Sequence, residues 1–411
     1  MATSAYEAAV EGTGRSGPLA GVRVVETGSL LAGPLCARLL ADYGADVVKI
    51  EDPARGDIGR HWGRNKLDGE SLWWPLMARN KRCVTINLRD PEGQDLARRL
   101  CDSADILVEN FRPGTLERWN LGPERLHATN PGLVVVRVSG FGQSGPYRDK
   151  AGFGVVGEAI GGLRYTTGTE GEAPPRVGVS IGDQLASVFG VVGALLGLHA
   201  RRTTGRGQVA DVAIYEAVFA MMESIVTEYA RLGVLPERTG SRLAGVAPSN
   251  IYPTSDGEWI IIGGNAENVF RRLMDAIGDA ELAEDPRFST HTARGVNFEA
   301  LDAIISAWTR QRSADDVVDA LDVAGVPASR IYSPADIVAD PHFAARDMLL
   351  RIADDKLGEL LMPGIVPKMS DTPGSMAWLG PEHGEHTDQV FGKELGISTD
   401  ELSGLRERGI I

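Results

Sequence analysis

Through the first half of the chain, short β-branched runs alternate with amphipathic stretches in a regular order. VRVVET (22–27) reads as a strand, Pro34 to Tyr43 as a helix, and DVVKIE (46–51) as a second strand. Two strands joined through one helix make a βαβ unit, which favours a parallel sheet covered by helices. The pattern recurs in CVTINL (83–88), a helix from Glu92 to Ala104, DILVEN (105–110), a short helix near Leu116 and LVVVRVS (133–139). A Gly/Pro-rich loop follows from Gly140 to Gly154. RVGVSI (176–181) predicts a strand leading into an apolar helix over 184–200. A turn at 203–208 and the strand VADVAI (209–214) close this α/β region, and a long helix from about Glu216 to Arg231 leads away from it.

From about residue 235 the character changes. A loop rich in Pro, Gly and Ser (235–253) precedes a short strand (258–264) and helices at 266–277, 296–310 and 313–323. These predict a second, smaller domain. The stretch 335–411 mixes short strands with two C-terminal helical segments, and pattern alone does not assign it to either domain. Residues 1–17 are small, polar and Gly-rich, a loose leader with no basic segment and apolar run for export. The most apolar stretch, Leu185 to Ala200, is shorter than the ~20 residues a bilayer requires. Carrying Ser187, Gly190, Gly193 and Gly197, it predicts a core helix buried on nearly all sides rather than a membrane contact.

The 411 residues carry 42 basic and 56 acidic side chains, a net charge of −14. That argues against a nucleic-acid partner, whose footprint is basic, and leaves room for a small anionic ligand. Cys36, Cys83 and Cys101 are too few and too scattered for a disulfide framework or zinc site, which fits buried thiols in a reducing cytoplasm. Basic residues do cluster in the loops after the parallel strands: Arg55 and Arg60, Arg89, then Arg112 and Arg118. Ligands of open α/β sheets bind outside the carboxyl ends of the strands. Singly each arginine reads as a surface charge; their shared placement points to a phosphate-bearing ligand.

Several motifs compete for the chemistry. Gly12 to Gly17 matches GxGxxG without a preceding strand, and Gly152 to Gly157 follows a loop. The first βα turn, Gly28-Ser-Leu-Leu-Ala-Gly33, lacks the middle glycine of a dinucleotide site, although Glu51 stands where a ribose-binding acid would. Gly178-Val-Ser180-Ile-Gly182 matches a serine-hydrolase nucleophile elbow. No oxyanion loop lies upstream, and alternation running through Ile181 puts the turn at Gly182-Asp183. Asp183 itself has two readings. One is a helix N-cap; the other is a carboxylate at a helix N-terminus, kept ionised and open to a bulky substrate as a covalent nucleophile.

Ordered segments from Pro18 to the C-terminus resemble the family III CoA-transferases, which include formyl-CoA and carnitine CoA-transferases and the 2-methylacyl-CoA racemases. PLAGVRVVETGSLLAGPLCARLLADYGADVVKIEDPARGD (18–57), NKRCVTINLRDPEG (80–93) and ADILVENFRPGTLERWNLG (104–122) carry the resemblance. So do VSGFGQSGPYRDKAGF (138–153), VGVSIGDQLAS (177–187), TGRGQVADV (204–212) and GEHT (384–387). The resemblance implies a large Rossmann-like CoA-binding domain (18–225), a small α+β domain (226–334) and a C-terminal segment (335–411) returning to the large one. It also implies an interlaced homodimer, no permanently bound cofactor, no metal, and a CoA thioester as substrate.

By the same resemblance Asp183 is the catalytic aspartate. CoA contacts fall to Leu31, Ala32, Ile86, Arg89, Asn110, Phe111, Arg118 and Lys150, and Trp62 shapes the acyl pocket. Asp52 stands where many relatives carry arginine, with Arg55 as its replacement. The racemases supply a second acid/base group from a GHD stretch that here reads Gly152-Phe153-Gly154, so a racemase is the rival reading and a serine hydrolase the next. No glycine run precedes the small-domain strand, which weakens an oxalate substrate. Arg79, Arg164 and Arg176 are candidates for the distal carboxylate of a dicarboxylic acid. The expectation is a cytoplasmic CoA-transferase acting between an acyl-CoA, succinyl-CoA or similar, and a free carboxylic acid.

Overall fold

The computed structural model describes residues 16–411, and the glycine motif at 12–17 lies largely outside them. The chain divides into two compact units. The described part of the first runs to Leu163 and adds Val177–Glu223 and Asp347–Ile411; the second is Arg164–Arg176 with Ser224–Arg346.

In the first unit the β-branched runs form one parallel sheet of six strands. These are β1 (Arg23–Glu26), β2 (Asp46–Glu51), β3 (Lys81–Thr85), β4 (Ile106–Glu109), β5 (Val134–Ser139) and β6 (Val209–Ala213). Their order, β3-β2-β1-β4-β5-β6, reverses direction between β1 and β4. That reversal opens a crevice at the carboxyl ends of the strands. Alternation sends Val25, Val48 and Val135 to one face of the sheet and Val24, Val47 and Val134 to the other, and each face carries its own apolar cluster. The first includes Phe391, Ile410 and Ile411, and the Ile410 carbonyl accepts the Asn87 N–H at 2.7 Å. The second includes Cys36 and Leu40 of helix α1 (Ala32–Asp42).

The second unit holds an antiparallel sheet, β9-β8-β7, of β7 (Ser249–Pro253), β8 (Trp259–Gly263) and β9 (Ala328–Arg330). Strand β7 falls inside the expected loop 235–253. It is an edge strand, where a terminal proline is tolerated.

Three other expectations fail. No strand forms over 176–181; the chain is irregular until helix α4 (Ile181–Thr204) begins, preceded in the chain by α2 (Pro91–Asp102) and α3 (Gly154–Ile160). The expected helix 216–231 is two helices, Ile214–Phe219 and Ile225–Leu232, separated by a turn with Glu223 at φ 48°. Third, α4 is not buried all round. At 24 residues it is long and apolar enough to cross a membrane by length and composition alone, yet only a stripe of mostly small residues is covered. Val188, Val192, Leu195 and Leu196 are exposed on the chain as it stands.

Candidate active site

The crevice at the strand ends is a cleft of about 430 Å³. Thr27, Gly28 and Ser29 after β1 line it, with Glu51 at the end of β2, Asp52, Arg55 and Asp57 beyond it, Ile86, Leu88 and Arg89 after β3, and Phe111 and Trp119 after β4. The Phe111 and Trp119 rings meet edge to face at 5.0 Å and make the aromatic wall. Three carboxylates face this cleft and each is matched by a cation. Glu51 takes two bonds from Arg60, at 2.6 and 2.7 Å, and Arg60 lies over the Trp74 ring at 3.9 Å. Asp52 pairs with Arg89 at 2.8 Å, and Asp57 with Lys49 at 2.7 Å. Burial pushes the Asp57 carboxyl up, but Lys49 and two backbone N–H groups outweigh it and hold it at about 2. The Arg55 N–H bonds the Asp52 carbonyl at 3.4 Å, but among the described residues its guanidinium has no hydrogen-bond or ion-pair partner, which leaves it an uncommitted cation of the cleft.

Asp183 lies in the first turn of α4, after Ser180 at the N-cap position, and is half-buried. It is therefore not the cap of this helix. Its carboxylate lies against Gly154 at the start of α3, where a Cβ would come 2.1 Å from Oδ2. One turn later the Ser187 hydroxyl bonds the Asp183 carbonyl at 2.7 Å and the Ala32 carbonyl at 2.8 Å, joining α4 to the start of α1. Glycines then let α4 press onto the sheet: a Cβ on Gly190 would meet Cys36 Sγ at 3.0 Å, and one on Gly197 would meet Val134 at 2.6 Å. Side-chain volume along this stripe would lift the helix and Asp183 with it.

Residues 19–387 match the family described as CoA-transferase family III. The chain belongs to that family. It is 53% identical over 394 residues to a protein of Chloroflexus aurantiacus named succinyl-CoA–D-citramalate CoA-transferase, covering 96% of this chain and 98% of the relative. A second protein of that organism, named the beta subunit of succinyl-CoA–L-malate CoA-transferase, is 39% identical over 98% of this chain and 100% of its own. The crystal structure of a CaiB/BaiF family protein from Brucella suis superposes with a TM-score of 0.80 at 34% identity, over 92% of this chain and 100% of that one.

Of the CoA contacts the resemblance suggests in this family III transferase, Ile86, Arg89 and Phe111 share the cleft. The others lie outside its lining. Leu31 and Ala32 are buried at the start of α1. Asn110 clamps the first βα turn, accepting from the Ser29 N–H at 2.8 Å and donating to the Ser29 carbonyl at 2.9 Å. Arg118 donates to Thr115 Oγ1 at 2.8 Å, and the exposed Lys150 ammonium sits 3.5 Å from the Tyr147 ring centre. Trp62 is exposed, with its carbonyl bonded by Ser71 Oγ at 2.6 Å.

Arg79 is not available to a substrate: it is fully buried and grips Asp42 with two bonds, at 2.9 and 2.7 Å. Arg164 and Arg176 belong to the second unit. At position 154, where the racemase branch supplies its aspartate, glycine abuts Asp183 and brings no second acid/base group. The serine elbow lacks the strand that defines it.

Sequence reasoning missed the charges beneath the cleft. Glu26, Lys49 and Lys81 are essentially inaccessible, and Glu26 pairs with both lysines at 2.7 Å. Their signal was available: lysine and glutamate inside strands that otherwise read Val and Ile are costly to bury unless paired. Glu109 at the end of β4 is a similar case. Burial raises its carboxyl to about 7 against the pull of Arg137, and it accepts the Phe111 N–H at 2.7 Å.

Proposed function

We propose that the protein transfers CoA between succinyl-CoA and a small dicarboxylic acid, with Asp183 as the covalent carrier. The observation that carries the reading is the Asp183 carboxylate, seated in the first turn of α4 in the space that the missing side chain of Gly154 leaves for it. In the first step the carboxylate attacks the thioester carbonyl, and CoA thiolate leaves as the aspartyl–acyl mixed anhydride forms. The thiolate then attacks the aspartyl carbonyl, giving an aspartyl-CoA thioester and releasing the donor acid. An acceptor carboxylate attacks that thioester, and the thiolate attacks the acceptor carbonyl of the new anhydride, which restores Asp183. Over the full cycle one thioester is exchanged for another, so the sequence needs no ATP, and backbone N–H groups near the anhydride stabilise its oxyanions. The nucleotide and pantetheine of CoA occupy the cleft, with Arg55 on the phosphates.

The relatives' names support the substrate class, since both pair succinyl-CoA with a hydroxylated dicarboxylic acid. We assign the distal carboxylate to Arg64, exposed in the loop after Trp62, whose guanidinium donates to the Gly178 carbonyl in the segment leading to Asp183. The working unit is a homodimer, a reading supported by the exposed aliphatic row of α4. The test is a matrix of acyl-CoA donors and free acids, followed by appearance of the new thioester. Succinyl-CoA with C4 and C5 dicarboxylic acids is expected to turn over, and Arg64→Ala to lose preference for them over monocarboxylic acids. Turnover of monocarboxylic acids alone would overturn the substrate assignment.

A further inference from the structure

The turn between β1 and α1 is held in a conformation that its sequence does not favour. Leu30 has φ 67°, in the left-handed region where a side chain crowds its own backbone. Its N–H is bonded by Asp57 Oδ1 at 3.0 Å, and the same oxygen takes the Gly59 N–H at 2.7 Å and the Ser29 hydroxyl at 3.3 Å. Asp57 Oδ2 meets Lys49 Nζ at 2.7 Å, and Lys49 also donates to the Gly28 carbonyl at 2.9 Å. Through Glu26 the chain of charges continues to Lys81, which donates to the Pro34 carbonyl at 2.7 Å. One buried row of alternating charge therefore ties down both ends of the turn and its strained middle.

What the turn connects gives this arrangement its meaning. Gly28 and Ser29 form cleft wall, and Ala32, just beyond, accepts the hydroxyl of Ser187 from the turn of α4 that follows Asp183. Asp57 itself faces the cleft, where an unpaired carboxylate would repel an anionic ligand; Lys49 cancels that charge. Apolar residues of similar volume would stabilise the core as well as this ion pair does, but would offer no acceptor to the Leu30 N–H.

We propose that Asp57, paired with Lys49, is a positioning residue for CoA transfer: it holds Leu30 in its left-handed conformation and so fixes the backbone between the cleft and the helix bearing Asp183. The inference rests on reading the cleft as the CoA site. It is tested by CoA calorimetry, steady-state kinetics and thermal melting on the full chain, comparing wild type, Asp57→Ala and Asp57→Ala/Leu30→Gly. Asp57→Ala is expected to raise the KM for acyl-CoA at least about tenfold, since a displacement of about 1 Å can cost up to about 100-fold. Glycine adopts positive φ without steric cost, so the double variant is expected to recover about fivefold or more of that loss while melting no higher than the single.

Unchanged kinetics in Asp57→Ala, or no recovery on adding Leu30→Gly, would overturn the proposal, because a purely structural ion pair would not respond to residue 30. Should Asp57→Ala fail to fold, Asp57→Asn keeps an acceptor but loses the ion pair, and the same pairing with Leu30→Gly decides. A wild-type protein that binds no CoA would sink the reading of the cleft, and the proposal with it. CoA binding with indifferent Asp57 variants would sink the positioning role alone.

Discussion

Around the cleft, position is set by charge. Glu51 is locked by Arg60, Asp57 by Lys49, and the two ends of the β1–α1 turn by Lys49 and Lys81. Along α4, position is set by missing side chains: Gly154 makes room for the Asp183 carboxylate, and Gly190 and Gly197 let the helix settle onto α1 and the sheet. The two regions therefore fail differently. Removing one partner from a buried pair strands a charge, whereas adding one methyl to the α4 seam displaces whole groups of atoms. A site divided in this way allows binding and chemistry to be perturbed one at a time.

The sharpest break between them comes from Gly154→Ala. The added methyl would lie 2.1 Å from Asp183 Oδ2, so the carboxylate must move while the cleft stays as it is. Turnover is expected to fall about 100-fold, with CoA affinity by calorimetry unchanged; an equal loss in both would mean that the two regions are not separable. Arg55→Ala is the complementary change. With its guanidinium uncommitted in the cleft, its loss is expected to weaken CoA binding by roughly 1.5–3 kcal/mol, the range for hydrogen bonds to charged groups. Arg118→Ala, placed on the phosphates by family resemblance, is expected in the same range, and an unchanged affinity would remove that residue from the site.

The smallest effect is on stability against pH, and its sign differs between two carboxylates. Asp57 is depressed from 3.8 to about 2, so its contribution is present above pH 3.8 and is lost as pH falls through about 2. That contribution is worth roughly 2 kcal/mol. Glu109 is raised from 4.5 to about 7, so the folded state holds its proton longer and stability declines as pH rises across that interval. Urea titrations across pH should lose the acid limb in Asp57→Asn and the neutral decline in Glu109→Gln. If neither limb moves, the charges beneath and beside the cleft are not coupled to folding.

The strands of the large parallel sheet were legible because strands buried on both faces read as β-branched runs between amphipathic helices. RVGVSI (176–181) has the same composition and forms no strand. No strand of the sheet pairs with it, and propensity without a partner does not make a strand. The exposed face of α4 was misread for a related reason: a hydropathy pattern reports that a surface needs covering, not what covers it. Ile86, Arg89 and Phe111, named by the family resemblance, do line the cleft, each within a few residues of a strand end. The left-handed Leu30, and the row of charges from Lys81 to Asp57 that restrains it, join residues from four chain segments, and no local pattern could have assembled them.

The covalent role of Asp183 is tested most directly by incubating the protein with succinyl-CoA, quenching with hydroxylamine and mapping peptides by mass spectrometry. A hydroxamate is expected on the peptide containing Asp183, dependent on the acyl-CoA and absent from Asp183→Ala. Turnover without that adduct, or an adduct on another carboxylate, would contradict the covalent role.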